Sequence, residues 1–297
     1  MSNQENVEYT RRWLPGVPVE YLTLGAGGPK VRYIKVGQGP ALVLMHTVRT
    51  QLDIFQRVIP RLAQEFTVYA FDYPGFGWSD IVPNADYREP TLRHRVVQFI
   101  EQLDLHDVTL AGESMGATLA LTAASVLQGR VRQVVAFNTY DYRPGLERAN
   151  FLASFIIKNV RAPIVGAMFA ALENKAILSG IIKGGFADPK ALPSDFIDEL
   201  DRVGKRKGYS RVARSVYKSL SSYVAARALY NAIKAPVTLV YGDHDWSRPA
   251  ERQAAAAKIK GAKVITLPKT GHFSSLEAPD RFAQILIDTK VSPQRNA

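Results

Sequence analysis

The chain has 297 residues, 46% hydrophobic and 22% charged, with a formal net charge of +11, enough for one large domain or two small ones around a sizeable core. It contains no cysteine, which excludes disulfides, zinc–thiolate sites and a thiol nucleophile. Its first residues lack the apolar run of a signal peptide. The longest apolar tract, 151–182, is broken by Lys158, Arg161, Pro163, Glu173 and Lys175, too often to give lipid about 20 apolar residues in a row. The default expectation is a cytoplasmic protein.

Residues 31–36 and 41–46 read as strands separated by the turn GQGP. Residues 51–65 follow as a helix, with Ile54, Phe55, Val58, Ile59 and Leu62 on one face. A strand at 66–72, a helix at 91–105, a strand at 108–112, a helix at 115–127 and a strand at 131–138 come next. After a long interval the alternation resumes with strand 237–241, helix 250–259, strand 263–267 and helix 279–289. Nearly continuous apolar strands alternating with amphipathic helices predict an α/β protein with a parallel sheet covered on both faces. In such sheets the ligand site lies beyond the carboxyl ends of the strands. The interval 140–234 is mainly helical and no Gly/Ser-rich or Pro-rich linker bounds it. It reads as a helical cap inserted into a core made of residues 1–139 and 235–297.

The cap carries a basic run. Arg202, Lys205, Arg206, Lys207, Arg211, Arg214 and Lys218 lie together with no acid among them, and Lys207, Arg211, Arg214 and Lys218 recur at helical spacing. Such a face attracts nucleic acid, acidic lipid headgroups or an anionic substrate. No aromatics at nucleic-acid-module spacing accompany it, so no nucleic-acid partner is expected. A solvated helix face is the ordinary reading, and peripheral contact with an anionic membrane is the alternative.

The centre of VTLAGESMGATLA is G-E-S-M-G. A G-x-S-x-G arises by chance in roughly one chain in ten of this size, so its setting has to decide. Ser114 stands where a strand turns directly into a helix, at the sheet's carboxyl edge. Gly112 and Gly116 remove side chains that would collide in so tight a turn, and the helix N-terminus offers N–H groups to developing negative charge. The bland alternative is a serine that caps the helix.

A serine nucleophile needs a base, and the base an orienting acid. Of the five histidines, His94 and His106 stand away from the productive edge. His46 ends a strand and reads as structural, and His244 reads as a turn residue. His272, in the loop KTGHFSS after a strand, is the candidate base. Strand VTLVYG runs into DHDWSRP, offering Asp243 and Asp245. The Asp that opens a turn more often caps it, so Asp245 is the candidate acid, with Asp141 a weaker third.

The order Ser114, Asp245, His272, together with LVLMHT, FDYPGFGWSD, AGESMGATLAL, VTLVYGDHDWSRP and TGHFSSLEAPDRF, resembles the α/β-hydrolase superfamily over nearly the whole chain. The resemblance implies a mostly parallel central sheet flanked by helices, with a cap. It also implies backbone oxyanion donors at Met115 and Val48, and Asp72 and Asp80 as loop supports. One position departs: Thr47 stands where the family usually has glycine. Arg49, two residues on, is a candidate for a substrate carboxylate or for pairing with Asp53 at helical spacing. Related dehalogenases and epoxide hydrolases have Asp at the position of Ser114, which makes both poor readings. Dehalogenases also place Trp and often Asn where Met115 and Val48 stand.

The expected function is hydrolysis of a carboxylic ester or lactone of a medium-sized, largely apolar small molecule. Thr47, Arg49, Phe151, Phe155, Met168 and Phe169 are candidates for contact with it. Cleavage of a carbon–carbon bond in a dienoic keto acid by the same triad is the alternative, and a non-catalytic ligand receptor on this fold a third reading. No metal or organic cofactor is implied, and the chain is expected as a monomer or homodimer.

Overall fold

A computed structural model describes residues 8–291. Its eight strands are β1 (Val19–Thr23), β2 (Lys30–Val36), β3 (Ala41–Met45), β4 (Thr67–Phe71), β5 (Val108–Glu113), β6 (Val131–Phe137), β7 (Val237–Gly242) and β8 (Lys263–Leu267). They form one sheet in the order β1-β2-β4-β3-β5-β6-β7-β8. β3 to β8 pair in parallel, while β1 and β2 form an antiparallel edge against β4. Successive residues of β3 serve opposite faces, Leu42 and Leu44 entering one apolar cluster and Val43 and Met45 the other, as the two-residue strand period requires. β5 and β7 are buried throughout, which is why their sequences read as unbroken apolar runs.

Helices α1 (Glu8–Trp13), α2 (Ile59–Leu62), α3 (Glu89–Gln102) and α4 (Met115–Val126) precede β6. Between β6 and β7 come α5 (Phe151–Arg161), α6 (Gly166–Ala171), α7 (Lys175–Lys183), α8 (Ser194–Gly204) and α9 (Tyr209–Ala226). Helices α10 (Pro249–Ala256), α11 (Ser274–Glu277) and α12 (Pro279–Val291) complete the chain. No helix among the described residues is long and apolar enough to cross a membrane.

Two expectations are corrected. Edge strand β1 does not appear in the sequence pattern, because its residues are at best half-buried and carry no apolar run. The helix expected over 51–65 is instead a 3₁₀ turn, Leu52–Phe55, followed by the four-residue α2. Pro60 sits at the start of α2 and has no N–H for a continuous helix. Upstream, Gln51 is extended at φ −150°.

That segment is held by charge rather than by helix bonds. Arg32 is fully buried on β2 and pairs with Asp53 and Asp72, each at 2.7 Å. Asp53 also accepts from the Thr10 hydroxyl and Trp13 Nε1, and Asp72 from the Leu52 and Trp78 backbone amides. Asp80 accepts from the Lys30 amide. The insertion is keyed to the same loops. Glu199 of α8, 3% exposed, accepts from Trp78 Nε1 at 2.7 Å and Gln51 Nε2 at 3.2 Å. Arg206 donates to the Gly77 and Ser79 carbonyls.

Candidate active site

Ser114 lies between β5 and α4 with φ 57° and ψ −115°, in a region that residues with a side chain rarely occupy. Its surroundings enforce that geometry. A Cβ on Gly112 would come within 2.5 Å of the Gly116 carbonyl group, and one on Gly116 within 2.0 Å of the Met45 carbonyl oxygen. Two residues without side chains therefore let the start of α4 press against the end of β3. The capping alternative does not hold, since the Ser114 side chain makes no cap hydrogen bond.

The hydroxyl instead meets His272, whose Nε2 lies 2.7 Å from Ser114 Oγ. On the other side of the ring, Nδ1 bonds Asp245 Oδ1, and Asp245 Oδ2 accepts from the Ser247 amide and hydroxyl. All three side chains are buried, with Ser114 2%, His272 1% and Asp245 9% exposed. Burial alone would raise the Asp245 carboxyl, but the His272 charge and the His272 and Ser247 hydrogen bonds outweigh it and hold it below its ordinary value. The chain of contacts can pass a proton from the hydroxyl to Nε2 while the carboxylate fixes the ring.

Other polar residues take supporting places. Asp243 accepts from the Lys269 and Thr270 amides and ties its turn to the His272 loop. His46 is fully buried, and its Nδ1 bonds the Thr47 carbonyl. Burial pushes it down to about 4, a neutral ring in the scaffold. Asp141 is buried beside Thr139 and pushed up by that burial to about 6. His106 and His244 are side-chain exposed.

Three participants escaped sequence reasoning. Trp246 stacks on His272 at 3.8 Å between ring centroids and 18° between planes. Asn138 donates to the His272 carbonyl at 3.0 Å and to Ser274 Oγ at 2.8 Å, and accepts from the Gly242 amide at 2.9 Å. One side chain thus braces the loops that carry Asp245 and His272. Its sequence signal was an asparagine just past a strand's carboxyl end, and it takes φ 50°, which asparagine tolerates. Glu113 is fully buried beside Ser114 and accepts from the Ser275 amide and hydroxyl. Burial outweighs those bonds and pushes its carboxyl up to about 8.

The loop after β3 brings Thr47 to the elbow, where the Met115 amide donates to Thr47 Oγ1 at 3.4 Å. Val48 is half-buried against both apolar clusters. Arg49 does not pair with Asp53, which Arg32 and Gln51 already engage. With φ 62° it turns away from the 3₁₀ segment, pairs with Glu173 of the α6–α7 connection and lies over the Tyr209 ring at 4.9 Å. The apolar candidates between β6 and β7 are largely exposed. Phe151 is 87%, Phe155 46% and Met168 55% exposed, while Ala153, Ile156, Ile157 and Val160 form the buried face of α5. Phe169 is half-buried, edge-on to Phe155. The insertion reaches the site by another segment: Gly185 accepts from the His272 amide, the Gly184 carbonyl accepts from Trp246 Nε1, and Phe186 stacks on Phe273. Among the described residues, no group of three or more His, Asp or Glu side chains is placed to hold a metal ion.

Residues 42–285 match the model of the alpha/beta hydrolase family. The chain belongs to that family. It is 25% identical over 266 residues to the dihydrolipoyllysine-residue acetyltransferase component of an acetoin cleaving system from Pseudomonas putida, covering 88% of this chain and 66% of that relative's length. It is 24% identical over 255 residues to a 2-(acetamidomethylene)succinate hydrolase from Mesorhizobium japonicum, covering 82% and 85%. A mutant of the haloalkane dehalogenase DatA from Agrobacterium tumefaciens shares the fold with a TM-score of 0.82, at 19% identity over 95% of this chain and 99% of that one. The family match supports a hydrolase.

Proposed function

We propose that this alpha/beta hydrolase is a serine hydrolase that cleaves a carboxylic ester or lactone through an acyl-enzyme. The observation that carries the reading is the unbroken run Asp245–His272–Ser114, ending on a hydroxyl at the strand-to-helix elbow. Ser114 Oγ attacks the acyl carbonyl while His272 Nε2 takes its proton, and Asp245 stabilises the imidazolium. The oxyanion is held by the Met115 and Val48 backbone N–H groups. The first of these rests on Thr47 Oγ1 at 3.4 Å, a long bond that a developing oxyanion replaces at little cost. His272 then returns the proton to the leaving oxygen, and water reverses the sequence to free the acid. The segment 140–234 acts as the cap that encloses the acyl group.

The nucleophile supports ester chemistry over the dehalogenase and epoxide routes, because attack of Ser114 on a haloalkane or epoxide leaves an ether that the triad cannot hydrolyse, whereas attack on an acyl carbonyl leaves an ester that it can. Hydrolysis of a carbon–carbon bond in a dienoic keto acid uses the same three residues and requires in addition a cation for the acid group, for which buried Arg49 is the candidate. A fluorophosphonate probe tests the core of the proposal. Native protein is expected to label and Ser114→Ala to stay unlabelled. Equal labelling of both, or none of either, refutes the serine mechanism and favours a non-catalytic receptor. Turnover of a vinylogous diketo acid without turnover of p-nitrophenyl esters would move the assignment to carbon–carbon cleavage.

A further inference from the structure

Two buried arginines in this protein make opposite use of their donors. Arg32 carries a carboxylate on Nε and another on Nη2. Arg49 is nearly as buried, 6% exposed, yet holds one carboxylate, Glu173, on Nη2. Its Nε and Nη1 are buried without a hydrogen-bond partner. So is the hydroxyl of Tyr217, 1% exposed on α9 and within electrostatic reach of Arg49. Native proteins rarely leave buried donors unmet, and such groups ask for an explanation. A cavity of about 430 Å³ borders this arginine, lined by Arg49, Glu173, Tyr209, Leu178 and Leu200. Its other charged groups are Lys175, Asp201 and Lys205, and Lys205 pairs with Asp201.

We propose that Arg49, assisted by Tyr217, forms a carboxylate-binding subsite, and that the acyl substrate carries a carboxylate. The end-on edge formed by Nη1 and the second hydrogen of Nη2 matches a carboxylate bidentately, giving Arg49 the two-carboxylate complement that Arg32 already has. The backbone that carries the subsite lies close to the elbow. Arg49 follows Thr47 by two residues, at most about 7 Å of chain, and Thr47 Oγ1 touches the Met115 amide. A substrate with several carbon atoms between carboxylate and scissile carbonyl engages both. The substrate class rests on the serine-hydrolase reading, whereas the subsite itself does not.

Two measurements separate them. In turnover, kcat/KM for mono-p-nitrophenyl glutarate is expected to exceed that for neutral p-nitrophenyl butyrate by at least about tenfold. Arg49→Met abolishes that ratio through KM, as loss of uniform binding does, and Tyr217→Phe lowers it. In calorimetry, glutarate binds the wild type and not Arg49→Met, with thermal melting showing that the variant is folded. Arg49-dependent glutarate binding without ester turnover upholds the subsite and removes the hydrolase. An unchanged ester ratio in folded Arg49→Met, or glutarate binding indifferent to Arg49, overturns the proposal.

The outer face of α5 and α6 carries a second site on independent grounds. Of ten exposed large hydrophobic side chains among the described residues, seven fall between Phe151 and Leu172, with Phe151 87% and Ile164 92% exposed. Ile164, Met168 and Leu172 repeat every four residues, and exposed Lys158 lies seven residues after Phe151 on the same face of α5. Cations border the row. Arg214 donates to the Ala162 and Pro163 carbonyls, and Ala167 shares a groove of about 880 Å³ with Lys207, Arg211 and Lys218. So concentrated an apolar patch marks an interaction surface. A second copy meeting it face to face would bring like charges together.

We infer that this face docks on an anionic lipid bilayer, the apolar row entering the headgroup boundary and the basic row facing acidic lipid. The full chain is expected to sediment with vesicles of phosphatidylcholine and phosphatidylglycerol but not with phosphatidylcholine alone. High salt and the double variant Ile164→Asp/Met168→Asp should each weaken binding at least about tenfold. Failure of the wild type to bind anionic vesicles, or equal binding by the double variant, overturns the inference. So does conversion of a dimer to a monomer by those substitutions, which assigns the face to a second copy.

Discussion

Gly116→Ala tests whether close packing between β3 and α4 holds the site together. The added Cβ would stand 2.0 Å from the Met45 carbonyl oxygen and 2.5 Å from that of His46. Both are backbone atoms at the end of a central strand, so neither can swing aside. Reaching even 3.0 Å requires the start of α4 and the end of β3 to part by about 1 Å. That motion separates the Met115 amide from the loop carrying Thr47 and Val48. Overpacking of this kind costs about 1–3 kcal/mol, and a large domain loses about 2–4 °C of Tm per kcal/mol. A 1 Å misplacement at a reacting centre costs about 10²-fold in rate. Thermal melting should therefore show a drop of roughly 2–12 °C, and ester hydrolysis a fall in kcat/KM of about 10²-fold. Gly204→Ala is the control, because its Cβ meets nothing within 4 Å, and it should melt at or above the wild-type temperature. If Gly116→Ala melts and turns over like wild type, the proposed packing does not set the site.

Asp245→Asn leaves Ser247 a partner but removes the charge and the acceptor that fix the His272 ring, so kcat should fall by about 10⁴-fold. A loss below tenfold in steady-state assays would remove Asp245 from the mechanism. Arg32→Met leaves the buried Asp53 and Asp72 carboxylates without their shared cation, which costs about 3–5 kcal/mol. Denaturant unfolding with an unchanged midpoint would show that the network is not structural. Glu113 has its carboxyl raised from 4.5 to about 8 in the fold, so the folded form keeps a proton that the unfolded chain has lost. Its contribution is most favourable below the ordinary value and declines as pH rises toward about 8. Stability measured across that window should fall more steeply in wild type than in Glu113→Gln, and parallel profiles would contradict the assignment.

The sequence by itself determined the parts of this protein that local chemistry controls. Apolar runs at 108–112 and 237–241 pointed to buried strands, and glycines on both sides of Ser114, at a strand-to-helix junction, pointed to a turn too tight for side chains. Polar residues just beyond strands then had one edge to share, which is why Ser114, Asp245 and His272 could be named before their distances were known. Where the pattern was faint, it misled. Edge strand β1 needed no apolar run, and 51–65 showed helical periodicity although Pro60 and the pull of Arg32 on Asp53 break it. Tertiary structure alone decided the partners of long side chains, because contacts between residues remote in sequence leave no local period. Arg49 reached Glu173 across 124 positions rather than Asp53 four away, and the packing of the segment between β6 and β7 turned Phe151, Phe155 and Met168 outward. The same long-range packing set Trp246 against His272 and Asn138 between two loops. Chain chemistry chose the candidate groups, and the fold chose what surrounds them.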